Sequence, residues 1–172
     1  MLEVARQSPC ENKVNWIEGD ALSLGDFNAD LAIMTGHVAQ FHLQDEYWLK
    51  ALKSIHKALR SGGYLAFESR NPAAQPRVNS RKKINDPVAG EVDVWTEILE
   101  YKDDRITTEL HYLFTKTGEE LLSRNELKFR THAEISQSLS EAGFSVENVF
   151  GDWDRSPASA ESPEMIFVAK RG

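Results

Sequence analysis

The chain has 172 residues, of which 41% are hydrophobic and 27% charged, as expected for one ordinary globular domain and not for a disordered or fibrous protein. Its net charge of −7 argues against nucleic acid as the main partner, because an acidic surface repels phosphate. The sequence shows neither the pattern of a signal peptide nor an apolar run of membrane-spanning length. The single cysteine, Cys10, excludes an intramolecular disulfide and is typical of a reducing compartment. We therefore expect a cytoplasmic protein with no membrane partner.

The first part of the chain alternates helical and extended patterns. Met1 to Gln7 has the spacing of an amphipathic helix, which Ser8-Pro9 is expected to end. The short apolar stretch Val14 to Asp20 is predicted to be a strand, and a second strand is predicted from Phe27 to Gly36. The continuous apolar run Leu31 to Met34 within it is typical of a parallel strand buried on both faces.

A long helix and a third strand follow. From Gln44 to Arg60 apolar residues recur every three or four positions, which predicts a helix with one buried face. Ser61-Gly62-Gly63 is expected to end this helix. Tyr64 to Arg70 is predicted to be a strand that Asn71-Pro72 stops. The alternation of helices and strands predicts an α/β fold with a mostly parallel sheet.

The second half of the chain has an antiparallel pattern after a predicted loop, Ala73 to Gly90. The three strands of a predicted meander are Glu91 to Tyr101, Arg105 to Lys116 and Leu121 to Arg130. Thr131 and Glu134 then have the spacing of a capping box at the start of a helix. Two last strands, SVENVF and EMIFVAK, flank a polar loop from Gly151 to Pro163. With no repeat and no linker, residues 1–172 are predicted to form a single domain.

Asp20 follows the first predicted strand, at the edge where α/β sheets bind ligands. Its carboxylate is suited to accept a hydrogen bond from an adenine amino group, with the Ala21 N–H donating to a ring nitrogen. The simpler alternative is an aspartate that only stabilises a turn. This alternative stays open at the level of sequence.

The residues after the second predicted strand are a more unusual group. Gly36 would let a ligand approach the backbone closely between Thr35 and His37. His37 is a candidate to orient a ligand or to act as a base, although a lone histidine is more often structural. Gln40 follows closely enough to line the same pocket. No metal site is predicted, because His37 and His42 have no supporting cysteine or carboxylate cluster.

Arg70 and Asn71 follow the third predicted strand, together with Glu68, and are candidate ligand contacts. A merely solvated strand end is the alternative for this group. The basic stretch Arg77 to Lys83 is interpreted as a solvated charged loop. The sequence contains no nucleophile elbow, no P-loop and no G-x-G-x-x-G motif.

Taken together, several stretches of the chain resemble a known enzyme family. In order they are MLEVAR, WIEGDALSL, FNADLAIMTGHVAQF, LRSGGYLAFESRNP and GDWDRSPASAESPEMIFVAKR. They are similar to class I S-adenosylmethionine-dependent methyltransferases, and most of all to the bacterial group that acts on small molecules. The similarity extends over nearly the whole chain.

The resemblance implies S-adenosylmethionine as the cofactor, a small-molecule methyl acceptor, and His37 as the catalytic base. The cofactor contacts that it implies are Met1, Leu2, Asp20, Ala21, Thr35 and Gly36. The substrate contacts that it implies are Gln40, Arg70 and Asn71. The meander, Glu91 to Arg130, would be an insertion that covers the acceptor site.

The resemblance also implies which part of the family's fold this chain contains. In the family, a first strand with a glycine-rich loop and a second strand with an acidic end precede the helix that matches MLEVAR. The expected fold is therefore a Rossmann-like sheet missing its first two strands, with impaired methyl transfer. The Phe27 strand would then be an exposed apolar edge, which we expect to pair with a second copy in a homo-oligomer.

Two other interpretations compete with that of a methyltransferase. The chain is alternatively a non-catalytic, methyltransferase-like binding or interaction domain, which the missing glycine-rich loop favours. An unrelated nucleotide-binding α/β domain is the second alternative. It would need a phosphate-binding loop, and none is visible in the sequence.

Overall fold

The computed structural model of the protein describes residues 2–7, 13–74 and 81–172. Its elements in chain order are α1 (Leu2–Ala5), β1 (Ala29–Met34), a 3-10 turn (Val38–Phe41), α2 (Asp45–Ala58), β2 (Leu59–Arg70), β3 (Lys82–Asp86), β4 (Gly90–Lys102), β5 (Arg105–Phe114), β6 (Glu119–Lys128), α3 (His132–Glu141), β7 (Phe144–Phe150) and β8 (Glu164–Arg171). The strands form two four-stranded sheets, ordered β1-β2-β8-β7 and β3-β4-β5-β6. The predicted combination of helices and strands is confirmed, but the predicted mostly parallel sheet is wrong, because β1 and β2 form the one parallel pair among the described strands.

The first sheet combines one parallel pair with two antiparallel pairs. β1 and β2 are parallel, while β8 lies antiparallel between β2 and β7. The apolar stripe of α2 packs on one face of this sheet. The rings of Trp48 and Phe67 meet edge-on, with their centroids 5.7 Å apart. Phe67 in turn stacks on Phe167 at 5.4 Å. This layer of helix on sheet contains the main hydrophobic core.

Two sequence predictions in this region are wrong. The stretch Val14 to Asp20 is not a strand, and it pairs with no strand among the described residues. The helix ends at Ala58, and β2 begins at Leu59, so that Ser61-Gly62-Gly63 lies within the strand. A register shift opposite these glycines accommodates the extra residues, and Gly62 takes a left-handed φ of 74° there.

The predicted burial of β1 on both faces is also wrong, for a reason that the sheet order makes clear. β1 is an edge strand, and helix packing covers only the face that carries Met34. Leu31 and Ile33 point to the other face and are 56% and 65% exposed. The expectation of an exposed apolar edge in this part of the chain is therefore confirmed.

The second sheet contains the predicted meander and one strand more. β4, β5 and β6 pair antiparallel over nearly their whole length, close to the predicted bounds. β3 pairs with β4 inside the segment predicted to be a loop. Its sequence, KKIND, is exposed at every position, so it lacks the alternating apolar pattern that identifies a strand. Lys83 pairs there with Glu91 at 2.9 Å, and Arg81 pairs with Asp93 at 2.8 Å.

The basic stretch Arg77 to Lys83 is only partly described, because residues 77–80 lie outside the described part of the chain. Within the described part, two of its cations make the ion pairs with carboxylates of β4 given above. These pairs reduce the positive potential that the stretch would otherwise present.

The capping box at the start of α3 is confirmed. The Thr131 side chain accepts the N–H of Glu134, and the Glu134 carboxylate accepts the N–H of Thr131 at 2.7 Å. Since a helix leaves its first four N–H groups without partners, these two bonds explain why the helix begins at this point.

A cluster of charges joins the second sheet to the segment before α2. Arg130, which is 4% exposed, donates to the Asp45 carboxylate at 2.8 Å and to the carbonyl of His42 at 2.7 Å. Lys128 donates to both Asp45 oxygens at 2.9 Å, and Arg105 donates to the carbonyl of Leu43. The end of the meander is therefore fixed beside the turn that precedes α2.

None of the described helices is long and apolar enough to cross a membrane.

Asp45→Asn should lower the free energy of unfolding by about 1 kcal/mol near neutral pH, since it removes a carboxylate that two cations share and Asp45 itself is largely exposed. Hydrogen bonds from Lys128 and then from Arg130 lower the pKa of Asp45. The stabilisation is thus complete above the pKa of an unfolded aspartate and is lost as the pH falls through the lower folded value. Urea unfolding near neutral pH and below about pH 3 measures both effects.

The matched control is Glu46→Gln, one residue along α2, whose carboxylate makes only an exposed pair with Lys50 at 3.3 Å. This variant should change stability little at either pH. A stability difference for Asp45→Asn that stays constant into acid would contradict the assignment.

Candidate functional site

The candidate site lies where β1 and β2 end. Because the two strands are parallel, their carboxyl ends meet at the same edge of the sheet. The loop Thr35-Gly36-His37 follows β1 there, and Arg70 ends β2. The polar groups that follow these two strands therefore lie at one edge of the sheet.

His37 forms the corner of the site. Its backbone is left-handed (φ 59°, ψ 26°), directly after Gly36 at φ 79°, so the chain makes a sharp turn out of β1. A left-handed residue other than glycine is strained. The His37 N–H donates to Glu68 Oε1 at 2.8 Å, and its carbonyl accepts from the Gln40 N–H at 3.0 Å. These two bonds hold the strained corner from both sides.

The His37 imidazole pairs with a carboxylate that the sequence analysis did not single out. Its Nε2 lies 3.0 Å from Glu164 Oε1, and the two side chains are 27% and 23% exposed. Glu164 is the first residue of β8 and stands opposite Arg70 in the antiparallel register. Its place at the site follows from strand direction, because a strand that runs antiparallel to β2 begins at the edge where β2 ends. Glu164 could have been identified in the sequence as the first residue of the last predicted strand only if that direction had been known.

Glu68 and Gln40 form a buried layer beneath this pair. Gln40 Oε1 accepts the N–H of Arg70 at 3.4 Å, and the side chains of Glu68 and Gln40 are almost wholly buried. Glu68 Oε2, Gln40 Nε2 and Glu164 Oε2 are buried without a hydrogen-bond partner in the described part of the protein. Buried polar atoms nearly always have a partner, so three such atoms around one histidine mark a place suited to a polar ligand.

Asn71 has a structural task in addition to its predicted contact with substrate. Its side-chain nitrogen donates to the carbonyls of Ser159, Ala160 and Ser162, at 3.2, 3.3 and 2.9 Å. Its side-chain oxygen accepts the N–H of Ala73. The amide thus fixes the loop before β8 against the end of β2. Arg70 is half-buried, and its contact with substrate, like that of Asn71, stays a prediction.

Asp20 is exposed and stabilises a turn, which was the simpler of its two interpretations. Its Oδ1 accepts the N–H of Leu22 at 2.9 Å and the Ser23 hydroxyl at 3.4 Å. Burial and then Arg130 lower the pKa of His42, and the negative charge of Asp20 opposes them.

The remaining predicted cofactor contacts are less constrained. Ala21 and Leu2 are half-buried, and Thr35 is exposed after the end of β1. The contact predicted for Met1 lies outside the described residues. Within the ranges that the structure describes, no three histidine, cysteine or acidic side chains are arranged to hold a metal ion.

No protein-family model matches this sequence, and a comparison with curated proteins also yields no match. Solved structures share its fold at low sequence identity. The methyltransferase CcbJ from Streptomyces caelestis is 17% identical over 99% of this chain and 69% of its own length, with a TM-score of 0.76. An S-adenosylmethionine-dependent methyltransferase from Clostridium acetobutylicum is 14% identical over 90% of this chain, with a TM-score of 0.75.

A third similar structure is the S-adenosylmethionine-bound amino pentose methyltransferase CalS10 from Micromonospora echinaspora. It is 16% identical over 90% of this chain, with a TM-score of 0.66. This chain spans 63% of the length of CalS10 and 63% of the clostridial protein. At such identities the likeness concerns architecture: the chain has the fold of class I S-adenosylmethionine-dependent methyltransferases.

Proposed function

We propose that the protein transfers a methyl group from S-adenosylmethionine to a small-molecule acceptor. The observation that carries the proposal is the cluster at the ends of β1 and β2, where His37, Glu68 and Glu164 converge in a methyltransferase fold. Ligands of α/β sheets bind at this edge. The similar structure of CalS10 is bound to S-adenosylmethionine, which supports the choice of cofactor.

The residues proposed to hold the cofactor are Thr35 and Gly36, which follow β1 at the sheet edge, and Asp20 and Ala21, which precede β1 in the chain. Asp20 is exposed, and we propose that its carboxylate and the Ala21 N–H contact the adenine edge, while Thr35 and Gly36 border the methionine portion. When bound, S-adenosylmethionine supplies a methyl group on a sulfonium, which is already a good leaving group. The expectation that transfer by this chain is impaired stays a prediction.

The task of the chain's own residues is to align the acceptor and exclude water. Gln40 and Arg70 are proposed to contact the acceptor beside His37, and the meander is proposed to cover it. His37 is the proposed base. Its Nε2 is held by Glu164, and the imidazole is partly exposed, so it can accept a proton at the site and return it to solvent.

Calorimetric titration with S-adenosylhomocysteine tests the cofactor proposal. Binding should be saturable, and Asp20→Ala should weaken it about tenfold through the loss of one charge-assisted hydrogen bond. Asp26→Ala, which removes another exposed carboxylate between α1 and β1, is the matched control and should leave the affinity unchanged.

Absence of binding to a protein whose circular dichroism shows the folded state would contradict the proposal for this chain. It would favour the alternative of a non-catalytic binding or interaction domain. Equal weakening by Asp20→Ala and Asp26→Ala would instead show that charge in general, and not a contact of Asp20, governs the affinity.

We also propose that the free edge of β1 pairs with a second copy of the chain. No strand among residues 2–7, 13–74 and 81–172 pairs with this edge, which lies next to the exposed Leu31 and Ile33, a combination that favours association of strands. Light scattering at micromolar concentration should give a dimer, and Ile33→Lys should shift it to the monomer. Val88→Lys, at an exposed turn of the other sheet, should not. A monodisperse wild-type monomer would contradict this proposal.

A further inference from the structure

The buried layer beneath His37 has an unusual balance of charge. Glu68 is 4% exposed, yet no lysine or arginine of the described residues forms an ion pair with it or with Glu164. Among the described residues, the hydrogen-bond partner that they share is His37, which donates its N–H to Glu68 and places Nε2 beside Glu164. Buried carboxylates are costly unless they are paired. The site is therefore complementary to a positively charged group.

The two carboxylates also have unused hydrogen-bond acceptors, as a site for a positively charged N–H donor requires. One oxygen of Glu68 and one of Glu164 have no donor within the described part of the chain. Each of them can accept an N–H from a ligand. The partly exposed Glu164 and His37 are the first groups that a ligand reaches, with Glu68 beneath them.

We propose that the methyl acceptor presents an amine to Glu164 and Glu68. This inference rests on the proposed function and adds to it the class of acceptor. The lone pair of the neutral amine nitrogen forms the new N–C bond to the methyl group while the S–C bond breaks and leaves its electron pair on sulfur. The nitrogen becomes a positively charged ammonium, which then loses one proton to His37 and from there to solvent.

The two carboxylates favour this reaction because they stabilise the positive charge that develops on nitrogen. A hydroxyl acceptor poses the opposite electrostatic problem. Its oxygen must lose a proton and gains negative character, which Glu68 and Glu164 repel. The cluster therefore selects an amine over an alcohol of the same shape.

A pair of small probes tests this preference without requiring methyl transfer. The probes are trans-2-aminocyclohexanol and trans-1,2-cyclohexanediol, which differ only in an amine and a hydroxyl. Each is titrated into the isotope-labelled protein while the backbone amide resonance of His37 is followed by NMR. The amine should bind at least about tenfold more tightly than the diol, the value of one hydrogen bond to a charged group.

The preference should fall to about threefold or less in both Glu68→Gln and Glu164→Gln, which keep shape and acceptor oxygen but remove the charge. Glu161→Gln is the matched control, because Glu161 lies in the loop before β8, is exposed and bonds only to Ser159. It should keep the full preference. Equal binding of amine and diol, no binding of the amine, or an unchanged preference in both cluster variants would overturn the inference.

These outcomes are separable from those of the cofactor titration. An amine preference that depends on both glutamates in a protein that does not bind S-adenosylhomocysteine supports the amine site and contradicts methyl transfer by this chain. Binding of S-adenosylhomocysteine without any amine preference supports the proposed function and overturns the amine acceptor.

Discussion

The carboxylate of Glu68 holds the backbone of His37, and the arrangement of the site depends on this one hydrogen bond. Parallel pairing of β1 and β2 brings the two residues to the same edge, but it does not by itself fix the direction in which the chain leaves β1. The bond to Glu68 keeps His37 in a left-handed conformation, and this sharp turn directs the imidazole towards Glu164. Strain in the backbone is thus offset by a charge-assisted bond at the place where the chemistry is proposed.

The charged cluster around Asp45 fixes the other end of the segment that connects β1 to α2. The segment that begins at His37 ends at α2, where Arg130 and Arg105 bind the carbonyls of His42 and Leu43. Arg105 is the first residue of β5, and Arg130 follows the end of β6. The second sheet therefore fixes the far end of the segment whose near end Glu68 holds, and the position of Gln40 between them follows from both.

The parts of this fold that could be predicted from sequence are those with a local cause. Helix α2 has its apolar period, α3 has its capping box, and the hairpins of the meander have alternating strands. Position in the sheet is not a local property. The apolar run Leu31 to Met34 has the composition of a central strand, but its exposure depends on neighbours that lie elsewhere in the chain. KKIND forms a strand only because β4 offers it an edge with carboxylates in register.

The same distinction applies to the candidate site. His37, Gln40 and Arg70 follow strands whose ends could be recognised, so their convergence could be predicted. Glu164 begins a strand that is 127 residues away from His37 along the chain, and its role follows from the antiparallel register alone. Asp20 shows the reverse case, since an aspartate after a short apolar stretch has the same sequence signal whether it binds a ligand or closes a turn.

The anchoring of the loop before β8 by Asn71 has a consequence for the chemical ageing of the protein. One side-chain NH₂ serves three carbonyls, so replacing that nitrogen by an oxygen, as deamidation does, would set a carboxylate against three acceptors and release the loop. The common route of deamidation closes a succinimide ring through the backbone N–H of the next residue. Residue 72 is a proline and has no such N–H. The order Asn-Pro therefore protects the amide on which the loop depends from its most common form of spontaneous damage.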